Sequence, residues 1–172
     1  FLIYAQLELI AADPKSISAL RTGKTEYPAA LIKKIAEEIA KQVGRRGDLN
    51  LEVADFALPM SNEYFSRVVS ELVRNAFKFS PPHSFVLVRL AETSNSIIFS
   101  VKDSGRGFSN DQVTRIGAYM QFDRKMQDQQ GLGLGLTIAK RLVELHGGSL
   151  VIESEKNAGA TVTLKLPKAK AA

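Results

Sequence analysis

Between Ser61 and Pro81 the apolar residues Phe65, Val68, Val69, Leu72, Val73, Ala76 and Phe77 recur every three or four positions. That is the spacing of a helix with one dry face, and Pro81-Pro82 ends it. A stripe this long must be buried against another layer, and the segments downstream supply one. Phe85 to Glu92 and Ser96 to Lys102 are rich in Val, Ile and Phe and flank the turn-like Thr93-Ser94-Asn95, the pattern of an antiparallel hairpin.

The remaining segments fit the same two-layer plan. Phe1 to Thr22 reads as a helical lead-in broken at Asp13-Pro14, where Asp suits an N-cap and Pro a first helical turn. A second helix starts at Pro28 with Leu31, Ile32, Ile35, Ile39 and Val43 inward and closes at Gly44-Arg45-Arg46-Gly47. Leu49 to Asp55 alternates as a strand. Leu134 to His146 is helical with Leu134, Ile138, Leu142 and Leu145 inward, stopped by Gly147-Gly148, and the strands Ser149 to Ser154 and Ala160 to Leu166 follow. The polar stretch Phe108 to Gln130, with one short helical pattern, is long for a connection inside a compact domain, and such connections are usually functional or mobile. The expected architecture is an α/β (α+β) two-layer sandwich: a mixed, mostly antiparallel sheet of about five strands with three main helices on one face. The expected organisation is a lead-in over 1–27, a domain over 28–167 and a basic tail over 168–172.

Composition narrows the function classes. A chain of 172 residues is about one domain's worth, and 45% apolar with 24% charged residues is an ordinary globular balance. The absence of Cys removes disulfides, thiolate nucleophiles and cysteine-ligated metals, and two His leave little for a zinc cluster. The net charge of +5 is dispersed, which argues against nucleic acid or a membrane surface as a partner. No apolar run approaches the roughly 20 residues that span a bilayer, and no signal peptide is visible. Opening on Phe1, the chain reads like a piece of a longer protein. Gly23-Lys24-Thr25 mimics the end of a P-loop, but Ser18 stands where the motif's first glycine belongs and no strand precedes it.

Three polar clusters remain. Glu71, Asn75 and Lys78 fall in line on one face of the 61–80 helix. An acid, an amide oxygen and an ammonium in a row suit a magnesium–phosphate site, although solvated helix faces also carry such residues. Asp103-Ser104-Gly105-Arg106-Gly107 ends an apolar strand with a hydrogen-bond acceptor able to meet an amino-purine edge; a tight turn in which Asp bonds its own backbone has the same composition. Gly131-Leu132-Gly133-Leu134-Gly135-Leu136 places three glycines just before a helix, where exposed N–H groups can cradle an anion. Its spacing is not that of the dinucleotide fingerprint.

In this order and at these separations the blocks resemble the ATP-binding domain of sensor histidine kinases, within the superfamily that includes gyrase, the heat-shock chaperone and MutL. The resemblance runs from about Pro28 to Pro167. Glu71 to Phe79 looks like the N box, Asp103 to Gly107 and Gly131 to Leu136 like the two glycine boxes, Tyr119-Met-Gln-Phe122 like the F box, and Gly159-Ala160-Thr161 with Leu166-Pro167 like the closing stretch. It implies that ATP and Mg²⁺ are bound, with Asn75 on the metal and Glu71 near it through water, and with Lys78 at the phosphates. Asp103 would hold the adenine amino group, with Thr161 nearby through water. Gly105, Gly107, Gly131, Gly133 and Gly135 would shape pocket and lid, Leu134 and Leu136 would wall it, Phe122 would contact the nucleotide, and Arg124 or Lys125 would reach its phosphates from the lid. Glu71 departs from the commonest pattern, Asn, and resembles the base of hydrolysing relatives and of anti-sigma serine kinases.

The implied activity is transfer of the γ-phosphoryl group to a histidine on a dimerisation domain, for passage to a response-regulator receiver domain. Neither His83, in a loop, nor His146, at a helix C-terminus, has the setting of a phosphoacceptor, so that histidine is expected outside this chain, upstream of Phe1, and the 1–27 lead-in is then expected to be a remnant of the dimerisation region or its linker. The domain itself is expected in the cytoplasm without inserting into a membrane, whether or not its parent is anchored. Two alternatives stay open, an anti-sigma-type serine kinase or ATPase and a nucleotide-sensing module without phosphotransfer.

Overall fold

The structure, a computed structural model, describes residues 2–107, 109–111, 113–114 and 134–168. In chain order the elements are α1 (Leu2–Ala11), α2 (Pro14–Leu20), α3 (Pro28–Gln42), a 3-10 turn (Arg46–Asp48), β1 (Leu49–Val53), α4 (Asn62–Phe79), β2 (Val86–Glu92), β3 (Ser96–Asp103), α5 (Leu134–Leu145), β4 (Ser149–Glu155) and β5 (Gly159–Pro167). The strands form one sheet in the order β1-β2-β3-β5-β4. β1 runs parallel to β2, and every other pairing is antiparallel. The mixed sheet with helices on one face is as expected.

Alternation along the strands separates the two faces. Val86, Val88 and Leu90 of β2, Ile97, Phe99 and Val101 of β3 and Leu164 and Leu166 of β5 are buried beneath the helices. α4 supplies the opposing layer through the stripe seen in the sequence, all seven residues of it buried. Phe65 meets Phe99 edge-on, with ring centroids 5.6 Å apart. Ser61 caps α4 by accepting the Tyr64 N–H at 3.3 Å.

α3 is rotated relative to the expected stripe. Ile32, Ala36, Ile39 and Ala40 are its buried apolar side chains beyond the first turn, Leu31 and Ile35 are half-buried, and Val43 is 50% exposed. Two alanines lie inward because α3 packs closely on α4, so small side chains replace the expected large ones at the contact.

The lead-in is packed rather than pendant. Leu7 of α1 is buried in the common core, Glu8 pairs with Arg141 of α5 at 2.7 Å, and Arg21 donates to the Leu145 carbonyl at 2.7 Å. Beside that contact His146 is buried, its ring edge-on to Tyr64. Its Nδ1 lies 2.7 Å from the Leu142 carbonyl, which only accepts, so Nδ1 carries the proton and donates. Nε2 is buried without a hydrogen-bond partner.

Candidate nucleotide site

α4 carries Glu71, Asn75 and Lys78 along the flank of its buried stripe. Asn75 is half-buried, and Lys78 is exposed with Nζ 5.4 Å from the centroid of the Phe79 ring. Glu71 is held from two sides. Arg67 Nε lies 3.5 Å from its Oε1, and its carboxylate packs directly on Gly135, so a Cβ at position 135 would overlap it. Gly135 thus allows the first turn of α5 to close on α4, and the carboxylate sits at the electropositive end of that helix.

Asp103, the last residue of β3, is only 6% exposed. Burial pushes its carboxyl above the ordinary carboxylate range, while the N–H groups of Gly105 and Ala160 and the charge of Arg45 pull it back. The Gly105 bond is 2.9 Å long. Two backbone donors therefore fix the carboxylate's orientation and leave it lone pairs for an amino group.

The glycines of this turn are dictated by close approach. Gly105 packs against the Phe79 carbonyl and the Ser80 backbone, which brings the end of β3 onto the end of α4. Gly107 has φ +62 and lies against the Glu155 carbonyl, so a side chain would be both strained and obstructed. Asn157 N–H donates to the Arg106 carbonyl at 2.6 Å, and the Arg106 guanidinium stands 5.3 Å from the Phe79 centroid. Arg106 was not singled out by sequence reasoning; its place inside the Asp103–Gly107 turn was the available signal.

Thr161 needs correcting. It pairs with Lys102 and Glu153, whereas Asp103 pairs with Ala160. Residues directly opposite in an antiparallel ladder share a face, so Thr161 points away from Asp103, and it is the Ala160 N–H that meets the carboxylate. Leu136, in α5, is buried in the common hydrophobic core. Phe122, Arg124, Lys125, Gly131, Gly133 and the side chain of Leu134 lie outside the described residues.

No group of three or more His, Asp or Glu side chains able to hold a metal occurs among the described residues. The available donors, an amide oxygen at Asn75 and a carboxylate at Glu71, are hard oxygens and few. They suit Mg²⁺, which keeps several waters and takes its other ligands from phosphates, better than an ion needing a full protein cage. A separate cleft of about 370 Å³ lies between α1, α4 and α5, with Gln6, Arg67, Ser70 and Arg74 in its walls. It shares Glu71 with the site but reaches neither Asn75 nor Asp103.

A buried acid at a central strand end, a polar helix flank beside it and glycines where the backbone closes come together at one end of a two-layer α/β domain. Residues 61–170 match the family model of histidine kinase-, DNA gyrase B- and HSP90-like ATPases, and the chain belongs to that family. It is 34% identical over 118 residues to the sensor histidine kinase YvrG of Bacillus subtilis, covering 68% of this chain and 20% of that protein. With the histidine protein kinase DivJ of Caulobacter vibrioides the identity is 38% over 102 residues, 59% of this chain and 17% of that one. The mycobacterial sensor histidine kinase MprB superposes with a TM-score of 0.68 at 25% identity, over 85% of this chain and 97% of the other. The chain spans about a fifth of the length of the curated relatives it matches. No helix among the described residues is long and apolar enough to cross a membrane.

Proposed function

We propose that the chain is the phosphoryl-donating domain of a sensor histidine kinase, binding ATP with Mg²⁺ and passing the γ-phosphoryl group to a histidine on a separate phosphoacceptor domain. The observation that carries this is Asp103, buried and oriented by two backbone N–H groups on the sheet face that α4 covers, with Gly105 joining its turn to the end of the helix that bears Asn75 and Lys78. In this reading Asp103 accepts from the adenine amino group, and Lys78 answers the phosphate charge. Asn75 holds the metal, which when bound would neutralise charge on the phosphates. Thr161, on the opposite face, takes no part.

The reaction needs little covalent help from the protein. An imidazole nitrogen of the acceptor attacks the γ-phosphorus, the bond to the β-phosphate oxygen breaks, and ADP leaves; positioning and charge neutralisation do the rest. The acceptor histidine comes from another domain, and a response-regulator aspartate receives the group next. His146 is buried with Nδ1 committed to Leu142, and His83 sits exposed in the loop after α4.

Incubation with γ-labelled ATP and histidine phosphoacceptor domains from related sensor kinases tests this reading. Acid-labile, alkali-stable label on the acceptor is expected. Acid-stable label on a protein substrate would instead favour the serine-kinase reading for which Glu71 speaks, and nucleotide binding without transfer to any acceptor would favour a sensing module.

A further inference from the structure

Arg45 stands outside every block that the nucleotide reading uses, in what the sequence shows only as the basic end of a helix. In the structure it is 8% exposed, and its guanidinium is one of the most heavily bonded groups of the molecule. Nη1 donates to the Phe77 carbonyl at 3.0 Å, the Ser80 carbonyl at 2.9 Å and Ser80 Oγ at 3.2 Å. Nη2 donates to the carbonyl and hydroxyl of Ser84 at 3.1 and 3.3 Å, and Nε to Asp48 at 2.6 Å. The plane also covers the Phe77 ring, 5.0 Å from its centroid. An α-helix leaves its last carbonyls without intrahelical donors, and here the fork supplies a donor from another element to one of them, Phe77, and to the carbonyl of the C-cap Ser80, while Ser80 Oγ donates to Ala76.

The carbonyls it holds bracket the backbone on which the site closes. Gly105 packs against Phe79 O and Ser80 Cα, between the Phe77 and Ser80 carbonyls bonded by Arg45. Gly105 in turn donates to Asp103. A shift of the 77–84 segment would therefore move the strand-borne acid relative to the helix-borne Asn75 and Lys78.

We propose that Arg45 is a positioning residue of the nucleotide site, fixing the end of α4 at the height at which the Asp103–Gly105 turn docks on it. The proposal rests on the nucleotide reading for its functional consequence, but the docking itself is independent of any ligand.

The test uses Arg45→Lys, which keeps the charge and loses the fork, and Arg45→Gln, in the 172-residue chain. Two quantities are read well below each variant's melting temperature: the hydrogen-exchange rate of the Gly105 amide relative to core amides of α4 such as Val73, and the ADP dissociation constant. Positioning predicts that Gly105 exchange rises at least about tenfold against Val73 and that ADP binds about tenfold more weakly even in Arg45→Lys. A merely stabilising Arg45 would lower the melting temperature and leave both readings at wild-type values, which overturns the proposal. Should the unsubstituted chain fail to bind ADP, the nucleotide reading falls, and the Gly105 exchange alone decides the role of Arg45. If Arg45→Gln does not fold, the lysine variant carries the same comparison.

Discussion

The carboxylate of Glu71 and the α-carbon of Gly135 are in direct contact, leaving no space for a methyl group between α4 and the first turn of α5. Position 71 lies one turn before Asn75 on the polar flank of α4. Its acid is occupied by a helix N-terminal turn on one side and by Arg67 on the other. A group so engaged acts first as a brace between two helices.

The Gly135→Ala substitution should therefore destabilise the protein by about 1–3 kcal/mol, the scale of an overpacked contact, despite the helix preference for alanine. The cost should shrink when Glu71→Ala is combined with it, because the colliding carboxylate is then gone. Thermal or urea unfolding of the two single variants and the pair measures this coupling. Strict additivity would contradict the contact.

Asp103→Asn should weaken adenine-nucleotide binding by about 1.5–3 kcal/mol, the range for a hydrogen bond to a charged group. Because burial raises the Asp103 carboxyl in the folded chain, its acceptor form should be lost at a higher pH than for an exposed aspartate. Titration calorimetry with ADP checks the affinity. An unchanged dissociation constant would remove Asp103 from base recognition.

The elements that local pattern dictates were legible in the sequence. The α4 stripe, its start at Ser61 and the hairpin around Thr93-Ser94-Asn95 follow from period and turn chemistry, and the structure has them where they were expected. Asp103 was legible because an acid ending an apolar strand is conspicuous. Thr161 lies on the face opposite Asp103, as the alternation of Ala160, Val162, Leu164 and Leu166 with Thr161, Thr163 and Lys165 implies; family resemblance carries no strand phase, and phase decides which face a residue meets. Arg45 was illegible for a physical reason. Five of its six acceptors lie 32 to 39 residues away, and three of them are backbone carbonyls, which have no residue identity to read. Val43 faces outward because the α3 contact favours alanines, a tertiary demand that periodicity alone does not carry.

Burial lowers the pKa of His146, the Leu142 hydrogen bond opposes that, and the Arg21 charge reinforces it. With the folded pKa below the unfolded value near 6.5, the unfolded chain takes up the proton first on acidification. The His146 contribution is thus fully present above about pH 6.5 and is lost as the pH falls from there towards the lower folded pKa. Unfolding free energies from pH 8 to 5 should fall less steeply in His146→Gln than in the unsubstituted chain. Identical slopes would show that His146 keeps an ordinary pKa.

Asn75→Ala should leave the melting temperature within about 1–2 °C, because the residue is half-buried on a polar flank. It should also abolish the gain in ATP affinity that Mg²⁺ brings. Thermal unfolding with calorimetric titration, with and without Mg²⁺, measures both. A retained metal dependence would assign the ion to other ligands.

The account turns on a nucleotide pocket at Asp103, and calorimetric titration of the chain with ATP, ADP and GTP, each with and without Mg²⁺, tests it most directly. Adenine-selective binding strengthened by Mg²⁺ for ATP is the predicted result. Absence of binding at millimolar nucleotide, or equal affinity for GTP, would contradict it.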